Sequence, residues 1–499
     1  MARIVPTQVD GARGYDVLSP VTGEPIGQYA VASAQEVQQA VARAREVQPA
    51  WAAVPVQQRA RMMDKALALM VQRQQTYLDR LTAETGRPEI ETLMIELFAT
   101  CDAMNFYGRR AASVLADRRV GMHLLKMKSA KVVYRPMGVV GVISPWNGPL
   151  VLSINPTIQA VLAGNAVVLK PSEYTPEAGR ITQEIFRDAG FPKDLVQVVL
   201  GDGETGAALV RAGVDKLTFT GSVATGRKIG AAAGEQLIPC TLELGGKDPM
   251  IVLDDADLDR AAGGAVFGAI MNTGQFCSGV ERVYVVREVA DTFIDKVVER
   301  VSQLQLGRDY GPFIFEGQAD IVQRQVDAAI AAGARCMCGG ERNDNTFTPT
   351  VLVDVDHGMA LMTEETFGPV IPIVVVDDET TAIQMANDCA YGLSASVWTK
   401  DKARGERVAR QLESGSATIN ETSMIYGALE LPFGGQKHSG LGRVNGADGL
   451  LNYAAAFPIL TDRFGAREEA VWHPYTEEKT SKIAKALKVL WGSPLRRLL

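Results

Sequence analysis

The chain has 499 residues, too many for one ordinary hydrophobic core, which implies two or three domains. With 46% hydrophobic and 22% charged residues it has the balance of a soluble globular enzyme, which excludes a disordered or fibrous chain. A formal net charge of −7 excludes a globally basic surface for nucleic acid or for an anionic membrane.

The opening, MARIVPTQVDGARGYDV, lacks a positive region followed by a sustained apolar run, so it reads as a short irregular segment and not as a secretory signal. Residues 34–48 then place Val37, Val41, Ala44 and Val47 at helical spacing. A longer helix is expected from about Gln57 to the Thr85-Gly86-Arg87-Pro88 stop, with helix resuming over 90–117. At Lys131 the texture turns β-branched, and KVVYRPMGVVGVI reads as an extended strand, a turn at Pro136-Met137-Gly138 and a buried strand. From there GVVGVIS, AVVLKPS, LVQVVLG and KLTFTGS alternate with helices near 150–163, 176–189, 204–212 and 224–233. Short apolar strands separated by such helices are the pattern of a parallel, doubly wound sheet. A second α/β series follows from Cys240 to Asn420: MIVLDD, helix 257–272, RVYVVRE, helix 290–304, CMCGGE, VLVDV, IPIVVVDD and a helix near 379–388. A ligand cleft between the two halves is the expectation.

No stretch reaches the roughly 18 uninterrupted apolar residues of a membrane span. The cysteines, Cys101, Cys240, Cys277, Cys336, Cys338 and Cys389, are too scattered for a disulfide framework, and a reducing cytoplasm is the expected setting. The histidines are equally dispersed, and the Cys336–Cys338 pair has no second pair, so no metal site is expected.

Three residues carry chemistry when taken together. Cys277, in MNTGQFCSGVERVYV, lies between an apolar helix and a strand. Glu243, in LELGGK, ends a short extended segment before two glycines that let backbone pass close to a ligand. Asn147, in ISPWNG, follows the end of a predicted parallel strand, where open α/β sheets bind ligands. Singly, they also read as a packing cysteine, a surface glutamate and a turn asparagine. Jointly they supply a thiolate to add to a carbonyl carbon, an amide donor for the oxyanion, and a carboxylate to activate water against a thioester.

The segments GVVGVISPWN, VVLKPSEYTP, LTFTGSVATGRKI, LELGGKDPMIVL, NTGQFCSGVERVYV, EETFGPVIPI and PFGGQKHSGLGR stand in one order, and in that order the chain resembles the aldehyde dehydrogenase superfamily from about residue 15 to 470. The resemblance implies an aldehyde dehydrogenase-like α/β fold with two doubly wound α/β domains and a small β oligomerisation element. The dinucleotide-binding domain is expected over 1–121 and 139–243, and the catalytic domain over 244–445. The oligomerisation element takes 122–138 and 446–470, and a basic amphipathic tail takes 471–499.

By resemblance Cys277 is the nucleophile, Glu243 the general base and Asn147 the oxyanion donor, with NAD as cofactor. Lys170 and Glu173 match residues that hold the adenine ribose hydroxyls, and Gly221 and Ser222 the helix start that receives the pyrophosphate, a role helix N-termini suit. Leu244 matches a residue beside the nicotinamide, Glu365 and Phe367 match contacts to its ribose, and Ser144, Trp146, Ser172 and Gly245 complete the expected cofactor surface. A carboxylate at Glu173 favours NAD over NADP, because it would repel a 2′-phosphate; Lys170 nearby leaves NADP open. Family members that pass the acyl group to coenzyme A generally lack a glutamate at the position of Glu243, so a free acid is the expected product.

The expected substrate pocket is Gly148, Val151, Met271, Phe276, Ser278 and Phe433. Gly148 stands where many family members carry a bulky aromatic, so a widened channel is expected. No Arg or Lys flanks Cys277 or Asn147 in a position to bind a substrate carboxylate, and Arg282 is expected to pack within the following strand. A long-chain or bulky apolar aldehyde is therefore favoured over a semialdehyde acid. Two other readings, an inactive binding protein and an acyl-CoA-forming enzyme, are opposed by the intact Cys277, Glu243 and Asn147. The segment 304–320 is shorter than the usual family linker, with no functional account from sequence. In the tail, Ile483, Leu487, Leu490 and Trp491 share a helical face among Lys479, Lys482, Lys485, Lys488, Arg496 and Arg497. That face suits peripheral membrane contact, a gate over a partner's tunnel, or plain packing. A homodimer or homotetramer is expected.

Overall fold

The computed structural model describes residues 3–465, 467–469, 471–492 and 494. They form two compact units, Met1–Val114 with Pro136–Ala454, and Leu115–Arg135 with Ala455–Leu499.

The larger unit is built on two mostly parallel sheets. The first has the strand order Gly440–Leu441, Cys240–Glu243, Lys216–Thr220, Val139–Ile143, Ala166–Lys170, Val196–Val198, and all but Gly440–Leu441 run parallel. The second runs Arg335–Cys338, Thr350–Val353, Val370–Val376, Val280–Val286, Asp248–Val252, Ser396–Trp398, Thr418–Ile419, antiparallel only at Arg335–Cys338. Both faces of this sheet are covered. Met250, Val252, Val283 and Val285 pack with the helices Leu258–Ile270 and Arg287–Ser302. Ile251, Leu253, Tyr284 and Val286 pack with Glu316–Ala331 and Glu379–Asn387. Burial on both faces is why these strands read as continuous apolar runs and not as alternating ones.

The opening expected to be irregular is instead a three-stranded antiparallel sheet, Ile4–Val9, Ala12–Leu18 and Pro25–Ala30. Asp10 and Gly11, both at positive φ (52° and 80°), make the tight turn that pairs its first two strands. The first long helix starts at a capping box of Ser33 and Glu36. The helix expected from Gln57 to Thr85 is two, Val56–Gln72 and Gln74–Thr85, and Gly86 ends the second at φ 66° as its sequence signal implies. The helix expected over 90–117 begins as Glu89–Thr92, passes through a π turn at Leu93–Phe98 and continues as Ala99–Val114.

The smaller unit holds a three-stranded sheet, Ala454–Asp462, Lys128–Pro136, Arg118–Val120, in which Lys128 pairs with Asp462 and Glu469, and Arg135 lies over the Phe457 ring. It also holds the helix Glu477–Trp491, none of whose side chains is buried. Arg496 and Arg497 lie outside the described residues. Among the described residues no helix is long and apolar enough to cross a membrane.

Candidate active site

The register of the first sheet brings Ile143 beside Lys170 and Phe219, and Glu243 beside Thr220, so the carboxyl ends of four strands form one row. Beyond that row opens a cleft of about 730 Å³, lined by Ser144, Trp146, Lys170, Ser172, Glu173, Gly221 and Ser222 among others. These seven expected cofactor residues are thus gathered in one place. Lys170 Nζ pairs with Glu173 Oε2 at 3.0 Å. Ser222 caps the helix Val223–Glu235, whose first N–H groups face the cleft end of the sheet. The cleft carries an aromatic wall that sequence reasoning missed: Phe315 lies 6.3 Å from Trp146 and 5.3 Å from Tyr174, centroid to centroid. Phe315 comes from the short 304–320 segment, so that segment closes one side of the cleft.

The remaining expected cofactor residues sit between this cleft and the cysteine. Phe367 meets Trp146 edge-on at 5.5 Å. Glu365 Oε1 accepts from the backbone N–H of Gly246 at 3.0 Å, and a Cβ on Gly245 would come within 2.3 Å of the Glu365 carboxylate. A Cβ on Gly246 would come within 2.5 Å of the Cys277 carbonyl oxygen. Close approach to backbone therefore demands Gly246, whereas a Cβ on Gly245 would meet only the end of the Glu365 side chain.

Cys277 and Glu243 share a narrow cavity of about 20 Å³, lined also by Leu152, Asn155, Thr220, Leu244, Tyr426 and Phe433. Cys277 is half-buried by surface area. Its thiol is nevertheless desolvated, and that burial, with Asp248, Glu243 and Glu365 nearby, pushes it up to about 12. Burial likewise holds the Glu243 carboxyl well above the usual carboxylate range, opposed by Arg443, and neither of its oxygens has a hydrogen-bond partner among the described residues. Asn147 Nδ2 donates to the carbonyl of Gln275 at 3.1 Å, two residues before Cys277, which orients the amide and leaves its second N–H available.

Of the expected pocket residues only Phe433 lines this cavity, its ring meeting Tyr426 edge-on at 5.2 Å. Gly148 does not line this cavity, and a Cβ there would meet Leu152 Cδ1 at 3.1 Å. Met271 lines a separate pocket with Glu91, Phe267 and Arg300. Val151 and Ser278 are buried outside the cavity wall, and Phe276 is half-buried beside it. Leu152, Asn155 and Tyr426 were missed, since nothing local in the sequence marks them. Arg282 packs as expected, donating to the carbonyls of Lys247 (2.8 Å) and Ala386 (2.9 Å) and to Tyr284 Oη (3.0 Å).

A family model described as the aldehyde dehydrogenase family matches residues 7–456. A Methylomonas protein named 4,4'-diapolycopene aldehyde oxidase is 39% identical over 481 residues, covering 95% of this chain and 91% of its own. A protein of Mycolicibacterium smegmatis named "Putative succinate-semialdehyde dehydrogenase", for NADP(+), is 39% identical over 468 residues, covering 91% and 90%. The solved structure of a Mycobacterium tuberculosis aldehyde dehydrogenase complexed with NAD+ superposes with a TM-score of 0.87 at 36% identity, covering 92% of this chain and 97% of that one.

Proposed function

The chain belongs to the aldehyde dehydrogenase family, and from that premise we propose that it oxidises an extended apolar aldehyde to the carboxylic acid with NAD as the hydride acceptor. The observation that carries the reading is the cavity in which the Cys277 thiol and the unpartnered Glu243 carboxyl stand together, with no lysine or arginine in its wall among the described residues.

The cleft at the strand ends fits a dinucleotide. It has the volume, a helix N-terminus for the pyrophosphate and a Lys170–Glu173 pair for ribose hydroxyls. When bound, the dinucleotide supplies a hydride acceptor. Cys277, its thiol proton released to solvent, adds as the thiolate to the aldehyde carbon, and the second Asn147 N–H and the Cys277 backbone N–H stabilise the oxyanion so formed. Loss of hydride from the adduct leaves a thioester on Cys277. Glu243 takes a proton from water as the water attacks that thioester, which releases the acid and restores the thiol. Glu243 in the cavity opposes an acyl-CoA product, because hydrolysis would compete.

With no lysine or arginine among the described residues of the wall, a substrate carboxylate is left without a partner. The Methylomonas relative, named for a polyene aldehyde, supports the same class. The mycobacterial relative, named for a semialdehyde, supports the rival reading of a small charged aldehyde. An aldehyde panel followed by NADH absorbance decides between them: kcat/KM should rise with apolar chain length, and succinic semialdehyde outperforming long-chain aldehydes overturns the substrate class. Cys277→Ala should abolish NADH formation with every aldehyde while NAD binding persists; activity within about tenfold of wild type would remove Cys277 from the mechanism. Assembly as a homodimer or homotetramer through the smaller unit is part of the same reading.

A further inference from the structure

One short stretch of chain that takes no part in the chemistry holds both the amide of Asn147 and the loop that presents Cys277. It runs from Arg87 through the π turn Leu93–Phe98. π turns are uncommon and gather at functional sites. Here the turn contains Glu96, fully buried beside Arg87, whose Nη1 lies 2.9 Å from Glu96 Oε1. The other oxygen of Glu96 accepts from the backbone N–H groups of Leu150 (3.0 Å) and Val151 (2.9 Å), in the first turn of the helix Pro149–Leu162. Gly148, which precedes that helix, offers no side-chain cap, so Glu96 caps it from outside. Arg87 also donates through Nη2 to the carbonyl oxygen of Asn147 at 2.7 Å. Asn147 is thereby fixed at its own carbonyl and through the helix that follows it.

The same stretch reaches the cysteine loop. Asn272, Thr273 and Gly274 all have left-handed φ (55°, 57° and 74°), an uncommon conformation for a β-branched threonine that persists only where the surroundings over-determine it. Glu91 Oε1 accepts from the backbone N–H of Asn272 at 3.0 Å. Asn272 Nδ2 donates to the carbonyls of Asn147 and Gln275, both at 2.9 Å. Thr273 Oγ1 exchanges hydrogen bonds with the backbone of Gly311 at 3.0 Å. All of these residues are buried, so water does not substitute for a lost partner.

We propose that Arg87, Glu91 and Glu96 are positioning residues that set the Asn147 amide in register with Cys277 through Asn272 and Gln275. The inference rests on the reading of Asn147 and Cys277 given above. Its consequence is a loss of rate without a loss of cofactor binding, because none of the three lines the dinucleotide cleft.

Glu96→Gln keeps the side chain's shape and removes the charge that holds Arg87 and the helix start. Misplacing a reacting group by about 1 Å can cost on the order of 10²-fold, so kcat is expected to fall by about 10–100-fold. The NAD dissociation constant, read by tryptophan fluorescence quenching, should stay within about twofold, and Glu96→Asp should recover part of the rate. Asn272→Ser tests the far end of the network and remains informative if Glu96→Gln does not fold. Asn147→Ala alone, and combined with Glu96→Gln, completes the cycle. If Glu96 acts through Asn147, the double variant is no slower than Asn147→Ala within about twofold. Full multiplication of the two losses overturns the inference, as does kcat within about twofold of wild type in both Glu96→Gln and Asn272→Ser while Asn147→Ala is impaired. An unimpaired Asn147→Ala would instead overturn the oxyanion reading itself, and the positioning role with it.

Discussion

Replacing Glu243 by glutamine keeps the shape of the side chain and removes only its capacity to take a proton. In the protein that carboxyl is buried, unpartnered and held well above the usual carboxylate range by desolvation, against the pull of Arg443. Desolvation therefore favours its protonated form. A deacylation rate that depends on it should rise with pH through the raised pKa and level off above it. Glutamine cannot serve at any pH. General-base catalysis is worth roughly 10²–10⁴-fold, so turnover in Glu243→Gln should fall by about that factor and lose its rise with pH. Acylation should survive. The neighbouring thiol is pushed up to about 12 by burial first and by Asp248 and Glu243 next, so replacing Glu243 by a neutral amide does not hinder formation of the thiolate. Stopped-flow absorbance between pH 6 and 9 should show a burst of about one NADH per site followed by a slow steady state. A trapped acyl-enzyme should appear by mass spectrometry. Steady-state turnover within about threefold of wild type, or loss of the burst together with turnover, refutes the assignment of Glu243 to hydrolysis.

Glu173→Ala should lower the NAD-to-NADP ratio of kcat/KM by about tenfold or more, since it removes a ribose acceptor and frees Lys170, now paired at 3.0 Å, to meet a 2′-phosphate; an unchanged ratio places selectivity elsewhere. Asp248 is a stability test. Burial raises its carboxyl to about 8, so between about pH 4 and 8 the folded chain holds a proton that the unfolded chain has released, and this contribution to stability is lost as pH rises through that window. Asp248→Asn copies the protonated form, because Oδ2 accepts from the Ser394 N–H and hydroxyl while Oδ1 has no partner. Its apparent Tm relative to wild type should therefore improve by a few degrees from pH 5 to pH 9; a gap that stays constant with pH would refute the buried-proton argument.

What the sequence made legible is what depends on neighbours along the chain. The parallel strands were readable because burial on both faces leaves unbroken apolar runs such as GVVGVI and IPIVVV. The Gly86 stop was readable because a left-handed residue ends the helix there. The opening hairpin was also written in the chain, as an Asp10-Gly11 pair between β-rich runs, and was passed over. Glu243 and Lys170 end strands, Asn147 and Ser222 lie just before helices, and Glu173 and Cys277 lie in turns three residues from a strand. Their motifs carry the local geometry that puts them there.

The pocket wall has no such local signature. Leu152 lines the cavity from the helix that follows Gly148, and Tyr426 from a loop far along the chain, its ring against Phe433. The same holds for the groups that aim the chemistry. Arg87 is separated from Asn147 by 60 residues of chain, and Glu91 from Asn272 by 181. A motif names the reacting atoms, but the buried ion pair and the strained loop that align them are assembled only by the tertiary fold. Leu152, Tyr426, Arg87, Glu91 and Glu96 lie outside every motif that identifies the family, and they are where variants informative about substrate choice and rate should be made.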